Sequence, residues 1–231
     1  MSTGPRQPLA RGMLQRLWRW GVSWRYRLFQ RHRHDRLGLE EVAGLSIVVL
    51  PGVFNPKLFW TGEFLARTLD ERLIPSGASV LDMGTGSGIG AVAAAQWAHR
   101  VVGVDINPAA VRCARINLLL HQVEDRVEIR QGDLFAPVEG ERFDRVLFNP
   151  PYFSGVPQSP LEHAFLGSDV AQRFAGGLRD HLRPGGHALV LLSSNGDAAA
   201  FLDAFRAAGF SAEQMAERRL GGETLVIYHV D

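Results

Sequence analysis

The 231-residue chain has one cysteine, Cys113, and one lysine, Lys57. A single thiol excludes an internal disulfide framework and any multi-cysteine metal site, and it fits a reducing, cytoplasmic setting. With lysine almost absent, 24 of the 25 basic residues are arginine. No run of 18 or more uncharged apolar residues occurs, so a membrane-spanning helix is not expected. The histidines are scattered without an H-x-x-x-H spacing beside an acid, so no metal site is expected either. Internal repeats and low-complexity blocks are also missing. Acidic residues are scarce in one region only: positions 1–36 carry nine arginines against Asp35, a charge of +8. The whole chain is +1, so the remainder sums to −7. That asymmetry is the main signal outside the core motifs.

What is present suits one α/β domain with a short appendage. Apolar residues make up 46% and charged residues 21%, as in ordinary globular chains. Residues 1–10, with glycine, prolines and serine, are expected to be a disordered end. From Met13 to about Phe29, Leu14, Leu17, Trp18, Val22, Leu28 and Phe29 fall close to helical spacing. Arginines fill much of the rest, which predicts a basic, aromatic-rich amphipathic helix. "LSIVVLPGVF" (45–54) reads as a strand interrupted at Pro51-Gly52. "TGEFLARTLDERL" (61–73) reads as a helix with Thr61 as its N-cap.

Strands and helices then alternate. "SVLDMG" (79–84), "VVGVDI" (101–106), "VEIRQGD" (127–133), "DRVLFN" (144–149) and "GHALVLLSS" (186–194) read as strands. Helices are expected after the first two, at 89–99 and 108–121, around 168–182 before Pro184-Gly185-Gly186, and at 197–209. Such alternation predicts a mostly parallel sheet covered on both faces. "AEQMAERRL" and "TLVIYHV" are separated by little more than Gly221-Gly222 and should close the sheet as an antiparallel hairpin.

Two stretches carry chemistry. "LDMGTGSGIG" places Gly84, Gly86 and Gly88 between the first of these strands and its helix, where the backbone can turn tightly against a ligand. Asp82 precedes the turn, and Asp105 ends the next strand, where a carboxylate can accept both ribose hydroxyls. The D-x-G-x-G-x-G spacing differs from the dinucleotide fingerprint, and an acid at Asp82 disfavours a pyrophosphate while favouring a cation. S-adenosylmethionine, a sulfonium with an amino-acid tail and no phosphate, fits that charge pattern. Asp133, in "GDLF", sits where its carboxylate can accept the adenine amine. The second stretch is "RVLFNPPYF" (145–153), a buried strand stopped by Asn149, Pro150, Pro151 and Tyr152. Adjacent prolines make a stiff corner that presents an amide and an aromatic ring.

With "VLDMGTGSG", "VVGVDINP", "GDLF", "FDRVLFNPPYF" and "LRPGG" in order over 79–230, the chain resembles a class I S-adenosylmethionine-dependent methyltransferase. The NPPY corner is that of the [DN]PP[YFW] N-methyltransferase subgroup. The resemblance implies an α/β, Rossmann-like seven-stranded sheet, mostly parallel with an antiparallel C-terminal hairpin and helices on both faces. It implies a basic, partly helical extension at 1–44 and a methyltransferase domain at 45–231. The expected cofactor-binding set is Asp82, Gly84, Thr85, Gly86, Gly88, Asp105, Ile106, Asp133, Leu134 and Asn149; the expected catalytic set is Asn149, Pro150 and Tyr152. Members of the subgroup methylate planar nitrogens: exocyclic amines of adenine or guanine, or glutamine amides. Such a nitrogen is a poor nucleophile. Acceptors at the Asn149 side-chain oxygen and the Pro150 carbonyl would orient it toward the methyl group, with Tyr152 stacking on its plane.

The resemblance leaves the acceptor open between a protein glutamine and an RNA base. A small-molecule methyltransferase and a cofactor-binding module without activity are the alternatives. HemK-type bacterial glutamine methyltransferases usually carry a helical N-terminal domain of about 70–80 residues, whereas only about 45 residues precede the first strand expected here. The shorter eukaryotic and archaeal relatives lack that domain. Phe54, Phe59, Trp60 and Thr61 stand where such enzymes cap the methionine end. The basic segment at 11–36 has three readings: a helix packed on the domain, a contact with RNA backbone and bases, or a membrane-surface or transit segment.

Overall fold

The computed structural model describes residues 36–151, 167 and 169–231. The basic helix expected over 13–29, and Tyr152 of the corner, lie outside the described residues.

The chain enters through an antiparallel hairpin, β1 (Gly38–Val42) and β2 (Leu45–Val49), which forms a sheet of its own. β1 is a strand that the sequence did not suggest. Its connection is a two-residue loop in which Ala43 and Gly44 both have positive φ, 56° and 82°. That is the primed-turn geometry of tight hairpins, here with alanine where asparagine or aspartate is usual. Two helices follow, α1 (Pro56–Phe59) and α2 (Thr61–Thr68). α2 is shorter than expected because Asp70 accepts from the backbone N–H groups of Arg72 and Leu73, a local turn that competes with helix. Thr61, expected as the N-cap, is instead the first helical residue, and Trp60 is the cap.

The main sheet runs β5-β4-β3-β6-β7-β9-β8. Its strands are β3 (Ser79–Met83), β4 (Arg100–Asp105), β5 (Val127–Gln131), β6 (Phe143–Phe148), β7 (Leu182–Ser193), β8 (Ala212–Leu220) and β9 (Glu223–Val230). β3 through β7 are parallel, whereas β9 pairs antiparallel with both β7 and β8, as the double-glycine connection predicts. All five residues of β3 are buried, as expected of a central strand covered on both faces. β8, at the edge of the sheet, carries Glu213, Glu217, Arg218 and Arg219, charges that resist further pairing.

The helices are α3 (Ile89–Ala94), α4 (Pro108–His121), α5 (Val170–His181) and α6 (Ala198–Ala207). One apolar cluster joins the hairpin, α2, α3 and α4 to one face of the sheet. Another joins α5 and α6 to the opposite face, centred on Phe135, Phe148, Phe174, Phe201 and Phe205. Helix α4 begins and ends where the sequence placed it, with Asn107 capping its N-terminus by accepting from Ala109 N at 2.9 Å. The Pro184-Gly185-Gly186 stop behaves differently. α5 ends at His181, and those residues lie inside β7, where a register shift opposite Phe143 and Arg145 absorbs them.

Chain order places the site. The polypeptide lays down β3, β4 and β5 outward, then returns to put β6 on the other side of β3. The crevice at the carboxyl ends of β3 and β6 is therefore the topological switch point, where doubly wound sheets bind ligands. The glycine turn leaves β3 there, and the NPPY corner leaves β6.

Candidate active site

A cavity of about 260 Å³ opens at that switch point. Its walls include Asp82, Gly84, Thr85, Gly86, Asp105, Ile106, Asp133, Leu134, Asn149 and Pro150. Residues far apart in sequence are thus brought to one space, because successive parallel strands end side by side.

The glycine turn is held by the strand beside it. Thr85 N donates to Val104 O at 2.9 Å and Gly86 N donates to Asp105 Oδ2 at 2.8 Å. Gly84 and Gly86 have φ of 65° and 56°, left-handed values that a side chain would strain. Gly88, expected to face the cofactor, does not line the cavity. A Cβ there would stand 3.0 Å from Ala114 Cβ, so this glycine lets the start of α3 press against α4.

Asp82 is buried at 4% exposure, and its Oδ2 accepts from Thr85 Oγ1 at 2.6 Å. Gly90 follows from this, since a Cβ at that position would lie 2.6 Å from Asp82 Oδ1. Burial pushes the Asp82 carboxyl up to about 6, against the hydrogen bonds from Thr85 and the Ala91 backbone, with a further upward push from the charge of Asp105. A cation entering the cavity would relieve that penalty; a phosphate would add to it.

Asp105 Oδ1 accepts from Asn107 N at 2.9 Å, so both carboxylate oxygens are fixed by neutral backbone donors. Asn107 Nδ2 in turn donates to Gly52 O at 2.9 Å, tying the segment after the hairpin to the rim of the site. Phe54 and Pro56 of that segment reach the cavity wall. Asp133 is half-exposed and accepts from Arg173 Nη2 of α5 at 2.5 Å, a partner that no local pattern announces. Ile106 and Leu134 add apolar walls, Leu134 with a φ of 47°. At the corner, Asn149 Nδ2 donates to Thr61 Oγ1 at 3.2 Å. Trp60, one of the expected capping residues, is exposed, with the Arg218 guanidinium 5.4 Å from its ring centre. The side chain of Phe59 is outside the described set.

The donor set fits S-adenosylmethionine. Acids at the ends of β3 and β4, a glycine turn without basic side chains, and apolar walls around Asp133 suit a cationic nucleoside with vicinal hydroxyls. Among the described residues, no cluster of His, Cys, Asp and Glu can hold a metal, and no helix is long and apolar enough to cross a membrane. Fold and cavity together define a Rossmann-like methyltransferase.

The family profile described as "Methyltransferase small domain" matches residues 44–215. The release factor glutamine methyltransferase of Geobacter sulfurreducens is 35% identical over 189 residues, covering 75% of this chain and 64% of that one. A Methanocaldococcus jannaschii protein bearing the name of a protein N5-glutamine methyltransferase is 31% identical over 196 residues, covering 81% of this chain and 95% of the relative. Among solved structures, the T. thermophilus 16S rRNA N2 G1207 methyltransferase, in complex with AdoMet and guanosine, superposes with a TM-score of 0.62 at 26% identity. That match covers 84% of this chain and 50% of the other. The chain belongs to the methyltransferase small domain family, as a class I S-adenosylmethionine-dependent methyltransferase of the HemK type. It spans just under two thirds of the Geobacter relative's length.

Proposed function

We propose that the protein, acting in the cytoplasm, transfers the methyl group of S-adenosylmethionine to the side-chain amide nitrogen of a glutamine in a protein substrate. The observation that carries this is the convergence of Asn149 and Pro150 with Asp82 and Asp105 on one cavity at the β3–β6 switch point. The relatives named for glutamine methylation support the choice of acceptor, one of them nearly coextensive with this chain.

When bound, the cofactor supplies an electrophilic methyl group on a sulfonium. Asp105 and Asp133 would hold its ribose and adenine, and Asp82 would contribute negative charge behind the glycine turn. The Asn149 side-chain oxygen and the Pro150 carbonyl accept the two N–H groups of the acceptor amide, which turns the nitrogen toward the methyl group. Transfer of the methyl group to that nitrogen would leave the spent donor as a neutral thioether. The amide proton leaves to solvent afterwards, so no strong general base is required of the chain. Tyr152 is assigned to stack on the planar acceptor.

A second reading replaces the glutamine with an exocyclic base amine in RNA. It is favoured by the nine arginines before residue 37 and by the guanosine bound in the structural relative. One experiment separates the two: the protein is incubated with tritiated methyl donor and, separately, ribosome-depleted protein, ribosomal protein and purified RNA. Label in protein that yields N5-methylglutamine on hydrolysis supports the first reading, and label confined to nuclease-sensitive material supports the second. Label only in small molecules would overturn both.

A further inference from the structure

The turn after β5 is pinned through its backbone. Gly132 N donates to Asp105 O at 3.0 Å, and Ala136 N donates to Asp133 O at 3.1 Å. Leu134 is left-handed at φ 47°, and a Cβ on Gly132 would collide with Pro137 Cγ. These contacts fix where Asp133 stands but not how its carboxylate is turned. We propose that Arg173 of α5 is the positioning residue that turns it, and thereby makes the site selective for a 6-amino purine over a 6-oxo one. This inference rests on the adenine role given to Asp133 above.

Arg173 Nη2 donates to Asp133 Oδ2 at 2.5 Å. A guanidinium only donates and a carboxylate only accepts, so this contact has one sense. Arg173 Nη1 lies 3.8 Å from Asp169 Oδ2, which steadies the guanidinium at its other terminal nitrogen. Asp133 Oδ1 takes no hydrogen bond from the described residues. Asp133, Asp169 and Arg173 all line the cavity. Both side chains of the Arg173–Asp133 pair are 45% exposed, so the pair adds little to stability, and its consequence is orientation.

One fixed carboxylate oxygen can read the edge of a purine. Adenine carries an N–H donor at position 6 and a bare acceptor at N1. Hypoxanthine reverses this, with an oxygen at position 6 and an N–H at N1. A carboxylate free to turn could follow the donor from one position to the next and serve both bases. Held by Arg173, it meets the amine of adenine and opposes the oxygen of hypoxanthine. A site whose polar group is left without a partner rejects the wrong ligand strongly.

The test measures, by calorimetry, the binding of S-adenosylhomocysteine and of its 6-oxo counterpart S-inosylhomocysteine. Both lack the sulfonium, so removing a positive side chain cannot act through the charge of the methyl donor. The unmutated chain should favour the adenosyl ligand by about 10-fold or more, the worth of a hydrogen bond to a charged group. Arg173→Met should narrow that preference by roughly fivefold, through weaker adenosyl binding and equal or tighter inosyl binding, with the thermal melt nearly unchanged. Arg173→Ala is the second variant should the first fail to fold. An unchanged preference overturns the proposal, and so does a wider one, because the guanidinium would then serve the base itself. Asp169→Asn leaves the Arg173–Asp133 contact in place and should stay within about twofold of the parent. A loss there equal to that of Arg173→Met would mean general charge instead of orientation. In an Asp133→Ala background Arg173→Met should cost little further preference, and an undiminished loss would also overturn the proposal. If the unmutated chain shows no preference, Asp133 does not read the adenine and the inference falls with that assignment. If Asp133→Ala abolishes the preference and Arg173→Met keeps it, the assignment stands and this inference alone fails. Neither ligand reports the methyl acceptor, so the outcome is independent of the choice between glutamine and base amine.

Discussion

The two ends of the central strands treat their acids differently. At the amino end of β6, Asp144 accepts from Ser79 N at 2.8 Å, Ser79 Oγ at 2.7 Å and Arg183 Nη1 at 3.2 Å. Burial works against the charged form of Asp144, yet these donors and the nearby Arg145 hold its carboxyl below the usual range. At the carboxyl end, 82 and 105 are also aspartates, but the donors on them include the Thr85 hydroxyl and the backbone N–H groups of Gly86, Ala91 and Asn107. Neutral donors orient a carboxylate without cancelling its charge. An acid satisfied by arginine staples strands together, whereas one held by amides beside a cavity keeps a field that a cationic ligand can use.

The largest expected effect tests the carboxyl end itself. Asn149→Ala should retain donor binding in calorimetry and lower methyl transfer by about 10²–10³-fold, the loss typical when one preorganised hydrogen-bonding group is removed. Undiminished turnover would end its assignment as the acceptor of the substrate N–H.

Next comes pH, where the two ends should pull in opposite directions. Asp82 is raised from 3.8 to about 6 in the folded chain, so its contribution to stability is present below 3.8 and is lost as pH rises through about 6. That loss is roughly 3 kcal/mol for a shift of this size. The His187 ring lies 4.0 Å from that of His229 between centres, tilted by 39°, and sits toward the amino end of β6, opposite Arg145. Burial first, then the charges of Arg145 and His229, lower it from 6.5 to about 4. Its contribution is present above 6.5 and is lost as pH falls through about 4. Denaturation at several pH values should therefore show Asp82→Asn with a stability that climbs more steeply from pH 4 to 6 than the parent's. His187→Gln should tilt the other way, and parallel curves for all three would contradict both assignments.

A smaller effect is expected for Asp105→Ala, which should weaken donor affinity by about 1.5–3 kcal/mol, the worth of hydrogen bonds to a charged group. The circular dichroism spectrum should be preserved; unchanged affinity would remove Asp105 from the ribose. The smallest is Asp144→Asn, with a loss of about 1–2 kcal/mol in stability and none in donor affinity. A marked affinity loss there would erase the distinction between the two ends.

Legibility followed the range of the interactions. The glycine turn, the acids at 82 and 105, helix α4 with its Asn107 cap, and the NPPY stop could be read because each is a strand end or helix start written within a few residues. The reading failed where a distant group decided. β1 was missed because an Ala43-Gly44 loop carries no hairpin signature. Thr61 was read as a cap because its partner lies 88 positions away. Gly88 lies against Ala114 across the α3–α4 pair and off the cavity wall, a contact that nothing nearby in the sequence signals. The Arg173–Asp133 pair requires α5 to pack over the end of β5, which no local pattern announces.

The order of strands and helices, the residue types at each strand end and the stiffness of the Pro150-Pro151 corner were determined by the sequence alone, since local sterics and periodicity suffice for them. Only the tertiary structure decided that β6 returns to lie beside β3, and so that Asp82, Asp105 and Asn149 share one cavity. It alone decided that a buried threonine meets the corner amide. Both depend on contacts between segments far apart in the chain, and those take shape only when two apolar faces of one sheet are covered at once.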